Sequence, residues 1–186
     1  MLRYFCPVIL AGGKSSRFGI NKVFFKVNNM YFLDIRINFF FKLGFSWVYV
    51  SGFFNGYSIL FDEFLGYGPL IGIFTTYSYL FYKYFTHFIF FPVDINFFSI
   101  KIMFYMFLKS KIFYSYCFNF YFFPLLLAVS VNVFYSLIYF VLFLNFHFLS
   151  IAFFLNFILL ERIYISKFCL KCFLNFNIYY NYFLLI

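Results

Sequence analysis

After Gly72 the chain contains no glycine, and between Lys111 and Glu161 it contains no charged residue. The first absence leaves Asn and Ser to make the turns of the later half. The second leaves Leu125–Leu144 with only Ser130, Asn132 and Ser136 as clearly polar interruptions, which by length alone qualifies as a membrane span. Acid is scarce as well: 5 Asp and Glu face 14 Lys and Arg, for a net charge of +9. The basic residues are scattered, with Lys109 and Lys111 the one close pair outside the stretch 14–26. No recognition-helix or aromatic-platform motif accompanies them, which argues against a nucleic-acid partner. Scattered cations on a solvated surface would instead attract anionic nucleotides and phosphorylated cofactors.

Cysteine is too sparse for a disulfide framework. The four thiols are Cys6, Cys117, Cys169 and Cys172, and the amino terminus lacks the basic, apolar, small-residue order of an export signal, so a cytoplasmic protein is expected. Cys169-Leu170-Lys171-Cys172 lacks the two further ligands that a zinc site needs. The two histidines, His87 and His147, lie in aromatic runs and are expected to be packed rather than catalytic.

What the chain has in excess is aromatic and apolar. It holds 40 Phe and 19 Tyr among 186 residues, 66% are hydrophobic, and the mean hydropathy is +0.94. Those values resemble a membrane protein's, and a small integral membrane protein is one reading. The other is a single enzyme domain of ordinary size. Two features favour the enzyme. Phe, Tyr, Ile, Leu and Asn are abundant along the whole chain rather than in one span, the pattern a T-rich coding strand would leave. A strand also begins at Arg3–Tyr4 and runs straight into a glycine-rich loop.

That loop organises the chain. Tyr4–Leu10 reads as a buried strand, followed by Ala11-Gly12-Gly13-Lys14-Ser15-Ser16-Arg17-Phe18-Gly19-Ile20-Asn21-Lys22. Glycines let backbone N–H groups approach a ligand, and successive N–H groups form an anion-binding concavity. Lys14, Arg17 and Lys22 add full charges, so this is a phosphate loop. The Walker pattern needs adjacent Gly-Lys-Ser/Thr and the dinucleotide pattern needs Gly-x-Gly-x-x-Gly; neither is present.

Further along, Tyr31–Leu43 reads as a helix stopped by Gly44, and Ser46–Val50, ending in Ser51-Gly52, as a second strand. Tyr57–Phe61 reads as a third strand, ending at Asp62-Glu63. Gly68-Pro69-Leu70-Ile71-Gly72 opens a helix running to about Tyr84, with Pro69 in its first turn. His87–Val93 is a fourth strand, leading into Asp94. A strand–loop–helix–strand order implies a parallel α/β sheet, with ligands bound beyond the carboxyl ends of the strands. Residues 11–22, Ser51 and Asp94 then share one edge. There Gly12, Gly13, Lys14 and Arg17 suit the β- and γ-phosphates of a nucleoside triphosphate and Lys22 the α-phosphate. Asp94, a hard oxygen donor, suits Mg²⁺; a carboxylate there capping a following helix is the lesser alternative.

Leu-Ala-Gly-Gly-x-Ser-x-Arg-Phe-Gly-x-x-Lys closely resembles the signature of the molybdenum cofactor guanylyltransferase family. Gly-Pro-Leu-Ile-Gly resembles that family's Gly-Pro-Leu-Ala-Gly helix start, and Pro92-Val93-Asp94-Ile95-Asn96-Phe97 its Pro-Cys-Asp-Met-Pro-Phe metal strand. Phe123-Pro124-Leu125-Leu126-Leu127-Ala128-Val129 is similar to its His-Pro-x-x-Ala-Leu strand, and Phe173-Leu174-Asn175-Phe176-Asn177 to its Phe-x-Asn-x-Asn strand. The sequence departs from the pattern at Asn21, where Asp is usual, and at Ser51, where Asn is common. After Asn177 it has Ile-Tyr-Tyr instead of Thr-Pro-Glu.

The resemblance implies a three-layer α/β sandwich with a mostly parallel central sheet, in a Rossmann-like nucleotidyltransferase fold. One domain would cover 1–186, with a nucleotide-binding half at about 1–97 and an acceptor half at about 98–186; Leu125–Leu144 would then be a buried strand and a helix. It implies transfer of GMP from GTP to molybdopterin, giving the guanine dinucleotide cofactor and pyrophosphate. Leu10, Ala11 and Gly12 would hold guanine through backbone groups, Asp62 (or Glu63) would contact the nucleotide, and Asn175 and Asn177 would face molybdopterin. The cofactor would be Mg²⁺, and molybdoenzyme maturation proteins would be partners of a monomer or weak homo-oligomer without a membrane. A cytidylyltransferase of the same cofactor and a sugar-phosphate nucleotidyltransferase are the neighbouring alternatives.

Overall fold

The computed structural model describes residues 2–12, 22–52, 59–61, 69–80, 82–93, 113–118, 121–130 and 161–164. Strand β1 is Phe5–Leu10, and a short hairpin follows from β2 (Lys26–Val27) and β3 (Met30–Tyr31). Helix α1 is Phe32–Lys42, β4 is Tyr49–Gly52, β5 is Ile59–Phe61 and helix α2 is Pro69–Leu80. Strands β6 (His87–Pro92), β7 (Phe113–Phe118), β8 (Tyr121–Ser130) and β9 (Glu161–Tyr164) complete the described elements. Seven strands form one sheet in the order β5-β4-β1-β6-β8-β7-β9. Only β8 runs against the others: it is antiparallel to β6 and β7, while the remaining neighbours pair in parallel.

The two helices cover opposite faces of this sheet. Successive side chains of a strand point to opposite sides. Phe88 and Phe90 of β6 meet Tyr77 of α2, with ring centroids 4.7 and 6.3 Å apart. Phe91 meets Phe40 of α1 edge-on at 5.4 Å. A central strand covered on both faces reads as an unbroken apolar run, and all six residues of β1, Phe-Cys-Pro-Val-Ile-Leu, are buried. Among the described residues Phe5, Phe32, Phe40, Phe45, Phe88, Phe90 and Phe91 fill the core, where edge-to-face rings add about 0.5–1.5 kcal/mol per pair beyond their burial.

The elements expected up to Pro92 hold, with shifts that have physical causes; the helix expected within 125–144 and the strand at 173–177 lie outside the described residues. Helix α1 ends as Gly44 predicts. Gly44 adopts φ 89°, and its N–H donates to Phe41 O at 2.9 Å while Phe45 N–H donates to Phe40 O at 3.3 Å. That is the Schellman arrangement with its apolar contact, Phe40 against Phe45 at 5.8 Å. Because Phe45 belongs to this cap, the second strand starts at Tyr49 instead of Ser46, paired with Val8. Helix α2 stops at Leu80 rather than near Tyr84. Tyr82 and Tyr84 are 67% and 95% exposed and offer the helix no buried stripe, and Thr86 is already tied to Tyr4 O at 2.8 Å on the way into β6.

Three elements went unread. The β2–β3 hairpin turns on Asn28 and Asn29, both at positive φ (49° and 64°), a conformation that Asn tolerates and two-residue hairpins require. Strands β7 and β9 lie in aromatic sequence without alternation. In the apolar stretch Leu125–Leu144, residues 125–130 belong to β8, which is hydrogen-bonded on both sides by β6 and β7. The rest of that stretch lies outside the described residues, among which no helix is long and apolar enough to cross a membrane.

Cys6 and Tyr77 are buried with their ionisable groups. Burial pushes both pKa values up from the ordinary 9.0 and 10.0, with Lys83 partly opposing the shift at Cys6. Above about pH 9 the unfolded chain therefore releases protons that the folded chain keeps, so stability must fall as pH rises. The expected slope is about 1.4 kcal/mol per pH unit for each group beyond its unfolded pKa. Urea midpoints at pH 8 and 10.5 test this; equal midpoints would show that neither group stays protonated in the fold.

Candidate functional site at the strand tips

The carboxyl ends of β4, β1 and β6 lie side by side, since Leu10 pairs with Ser51 on one flank and Pro92 on the other. Beyond the ladder, Ala11 N–H and Gly12 N–H both donate to Ser51 O, at 2.8 and 3.0 Å. On the other flank Val93 N–H donates to Leu10 O at 3.2 Å. Leu10, Ala11, Gly12 and Ser51 are thus brought together, as the edge argument requires. The root of the glycine-rich loop is bound from both neighbouring strands before the loop begins. Ala11 is buried and Gly12 is exposed.

Ser51 serves this edge through its backbone carbonyl, and its side chain is buried against α2. Gly72, in the first turns of α2, lies directly over it. A Cβ at Gly72 would sit 2.8 Å from Leu10 Cδ2 and 3.3 Å from Ser51 Cβ, and would overlap Ser51 Oγ. The second glycine of Gly-Pro-Leu-Ile-Gly is therefore a close-approach residue. The sequence marked it as a landmark without a role.

Lys22 opens a short 3₁₀ turn, Lys22–Phe24. Val23 beside it is 1% exposed, and Phe25, just past the turn, is fixed to the start of α1 by Phe32 N–H donating to Phe25 O at 2.8 Å. The Phe25 and Phe32 rings also meet edge-on at 6.4 Å. The backbone that carries Lys22 is thereby anchored to the core. Gly13, Lys14, Arg17, Asp62, Glu63, Asp94, Asn175 and Asn177 lie outside the described residues. Among the described residues no group of three or more His, Cys, Asp or Glu could hold a metal. Asp94 directly follows Val93, the residue bonded to Leu10.

One residue at this edge was not singled out by its sequence. Arg36 is 5% exposed on the inner face of α1. Its Nε donates to Val93 O at 3.4 Å, and its guanidinium lies 4.5 Å from the Phe32 ring centre. The four-residue spacing Phe32, Arg36, Phe40 was the available signal, because it puts the arginine on the buried stripe.

The MobA-like NTP transferase domain family matches residues 7–110, more than half of the chain. The chain belongs to this family. Solved structures agree in fold. An Aquifex aeolicus protein superposes with TM-score 0.69 at 18% identity, over 93% of this chain and 92% of its own. Molybdopterin-guanine dinucleotide biosynthesis protein A from Archaeoglobus fulgidus gives 0.64 at 14%, over 89% and 85%. The 4-diphosphocytidyl-2C-methyl-D-erythritol synthase of Anaerococcus prevotii gives 0.69 at 7%, over 99% and 97%. No curated protein sequence matches significantly. The MobA-like chain is therefore a nucleotidyltransferase with a Rossmann-like, mostly parallel sheet.

Proposed function

We propose that this MobA-like protein transfers GMP from GTP to molybdopterin, releasing pyrophosphate. The observation that carries the reading is the bond from Val93 N–H to Leu10 O. It joins Val93, the residue before Asp94, to Leu10 at the root of the Leu-Ala-Gly-Gly sequence, so the two strand ends from which these motifs continue are adjacent. The Phe-x-Asn-x-Asn run at 173–177 and the Gly-Pro-Leu-x-Gly spacing favour the guanylyl member over a cytidylyl or sugar-phosphate enzyme.

The roles follow from the chemistry. Because the N–H groups of Ala11 and Gly12 are taken by Ser51, phosphate contacts fall to the backbone from Gly13 onward and to Lys14 and Arg17. Lys22 neutralises charge that develops at the α-phosphate. Leu10, Ala11 and Gly12 frame the base, with Ser51 holding them and Asp62 reaching the nucleotide. Asn175 and Asn177 orient molybdopterin. An acceptor phosphate is itself the nucleophile, so no covalent intermediate is needed. Holding two reactants in line can supply about 7–11 kcal/mol of barrier lowering. Asp94 is the residue that would hold Mg²⁺, and its hard carboxylate at a phosphate-binding edge fits that ion. When bound, the ion would supply charge neutralisation of the triphosphate. We place the enzyme in the cytoplasm, acting as a monomer or weak homo-oligomer that hands its product to molybdoenzyme maturation proteins.

Titrating GTP and CTP against the purified protein with Mg²⁺ tests the reading, and preference for CTP would overturn the guanylyl assignment. Asp94→Asn keeps the shape and removes the charge. It is expected to raise the Mg²⁺ needed for half-maximal activity by about tenfold or more, with thermal stability little changed. If Asp94 only capped a helix, Asn would serve nearly as well, and an unchanged Mg²⁺ curve would remove it as a metal ligand.

A further inference from the structure

We infer that Arg36 is a positioning residue, fixing the tip of β6 at Val93, the residue before Asp94, against Leu10 at the root of the glycine-rich loop. The inference rests on the reaction proposed above for its kinetic consequence, and on geometry alone for the clamp itself.

A guanidinium on the apolar face of a helix is an expensive substituent. Taking a charge out of water costs several kcal/mol that its partners must offset, and the neighbouring buried positions of α1, Phe32, Leu33 and Phe40, are all apolar. The stem and the Phe32 ring account for part of its accommodation. The polar contact is more specific, because Nε reaches Val93 O, 57 residues away in sequence.

Val93 is the residue through which the two halves of the site communicate. Leu10 pairs with Pro92 in the parallel ladder, where a carbonyl accepts from the residue after its partner. Val93 N–H accordingly donates to Leu10 O at 3.2 Å. Val93 O is the acceptor for Arg36. Both polar groups of the residue preceding Asp94 are thus bound, one to the loop root and one to α1. The ladder alone would hold Val93 by a single bond at the fraying end of a strand. With Arg36, α1 supports the tip from the face of the sheet, and the loop root gains the same support through Leu10. The donor is charged, which strengthens a bond to a carbonyl, and at 3.4 Å the contact is a long one.

Three proteins test this: wild type, Arg36→Met and Arg36→Lys. Met approximates the apolar stem without donors, and Lys keeps a charged donor. Hydrogen exchange of individual amides is measured first, without nucleotide. In Arg36→Met the Val93 amide is expected to exchange about tenfold faster, while Ile9 in mid-strand and the amides of α2 keep their wild-type rates. Steady-state GMP transfer is then expected to lose about 10- to 100-fold in kcat, with KM for GTP changed less than about threefold, because misplacement by about an ångström acts on the transition state. Arg36→Lys should recover most of both. Unchanged exchange at Val93 would overturn the clamp, as would equal acceleration of all amides, which is the mark of general destabilisation. Local acceleration with wild-type kcat would overturn the positioning role. Local acceleration in a protein whose wild type transfers no GMP would overturn the proposed reaction and leave the clamp standing.

Discussion

Lys22→Ala is expected to lower turnover by about 10²- to 10³-fold, the usual effect of removing one fixed donor from a centre where charge develops. The fold should survive the change. The turn that carries Lys22 is held by its neighbours, through the burial of Val23 and the bond from Phe32 N–H to Phe25 O, and neither involves the lysine side chain. Circular dichroism and the melting temperature should therefore match wild type while pyrophosphate release collapses. KM for GTP should rise less than kcat falls, since the charge matters most when the α-phosphate is being attacked. A variant with wild-type turnover would take Lys22 out of the mechanism. A variant that fails to fold would show that its stem is part of the core.

Gly72→Ala has the largest expected effect on stability. A methyl group here meets Leu10 Cδ2 at 2.8 Å and Ser51 Cβ at 3.3 Å, and overlaps Ser51 Oγ. All of these belong to buried residues at the loop root, so relief requires α2 to lift from the strand tips. Overpacking of this kind costs about 1–3 kcal/mol, equivalent to a melting temperature lowered by about 2–12 °C in a chain of this size. In a helix with room for a side chain, Ala would instead stabilise relative to Gly, so the sign of the change decides. The double variant Gly72→Ala, Ser51→Ala removes the overlapping Oγ and should recover part of the loss, a non-additivity expected only of residues in contact. A single variant more stable than wild type would refute the close approach.

How much of this could be read before the fold was known depended on how local the signal was. The strand before the loop, the helix capped by Gly44 and the strand ending at Pro92 were legible, because glycine, proline and unbroken apolar runs act within a few residues. The edge shared by Leu10, Ala11, Gly12 and Ser51 was legible from the order of elements, since parallel crossovers put strand ends together. The bonds that build that edge were not, because they join residues far apart in sequence, Ala11 and Gly12 to Ser51 and Val93 to Leu10. Asp34, Asn38 and Lys42 fall four residues apart on one face of α1; Arg36, on the opposite face with Phe32 and Phe40, was legible from that spacing but passed as one more interspersed polar residue. The hairpin at Asn28-Asn29 was missed because two Asn at positive φ carry a weaker signal than Asn-Gly. In the later half, β7 carries aromatic residues on both faces and β9 is only four residues long, Glu161–Tyr164, so alternation could locate neither.

The most direct measurement follows the α-phosphorus itself. GTP labelled at that atom is incubated with the purified protein, Mg²⁺ and molybdopterin, and the label is traced. The account predicts that it passes to molybdopterin in step with the pyrophosphate released, and that omitting molybdopterin stops both. Label that remains in GTP while the same protein transfers CMP from CTP, or no transfer to molybdopterin from either nucleotide, would contradict it.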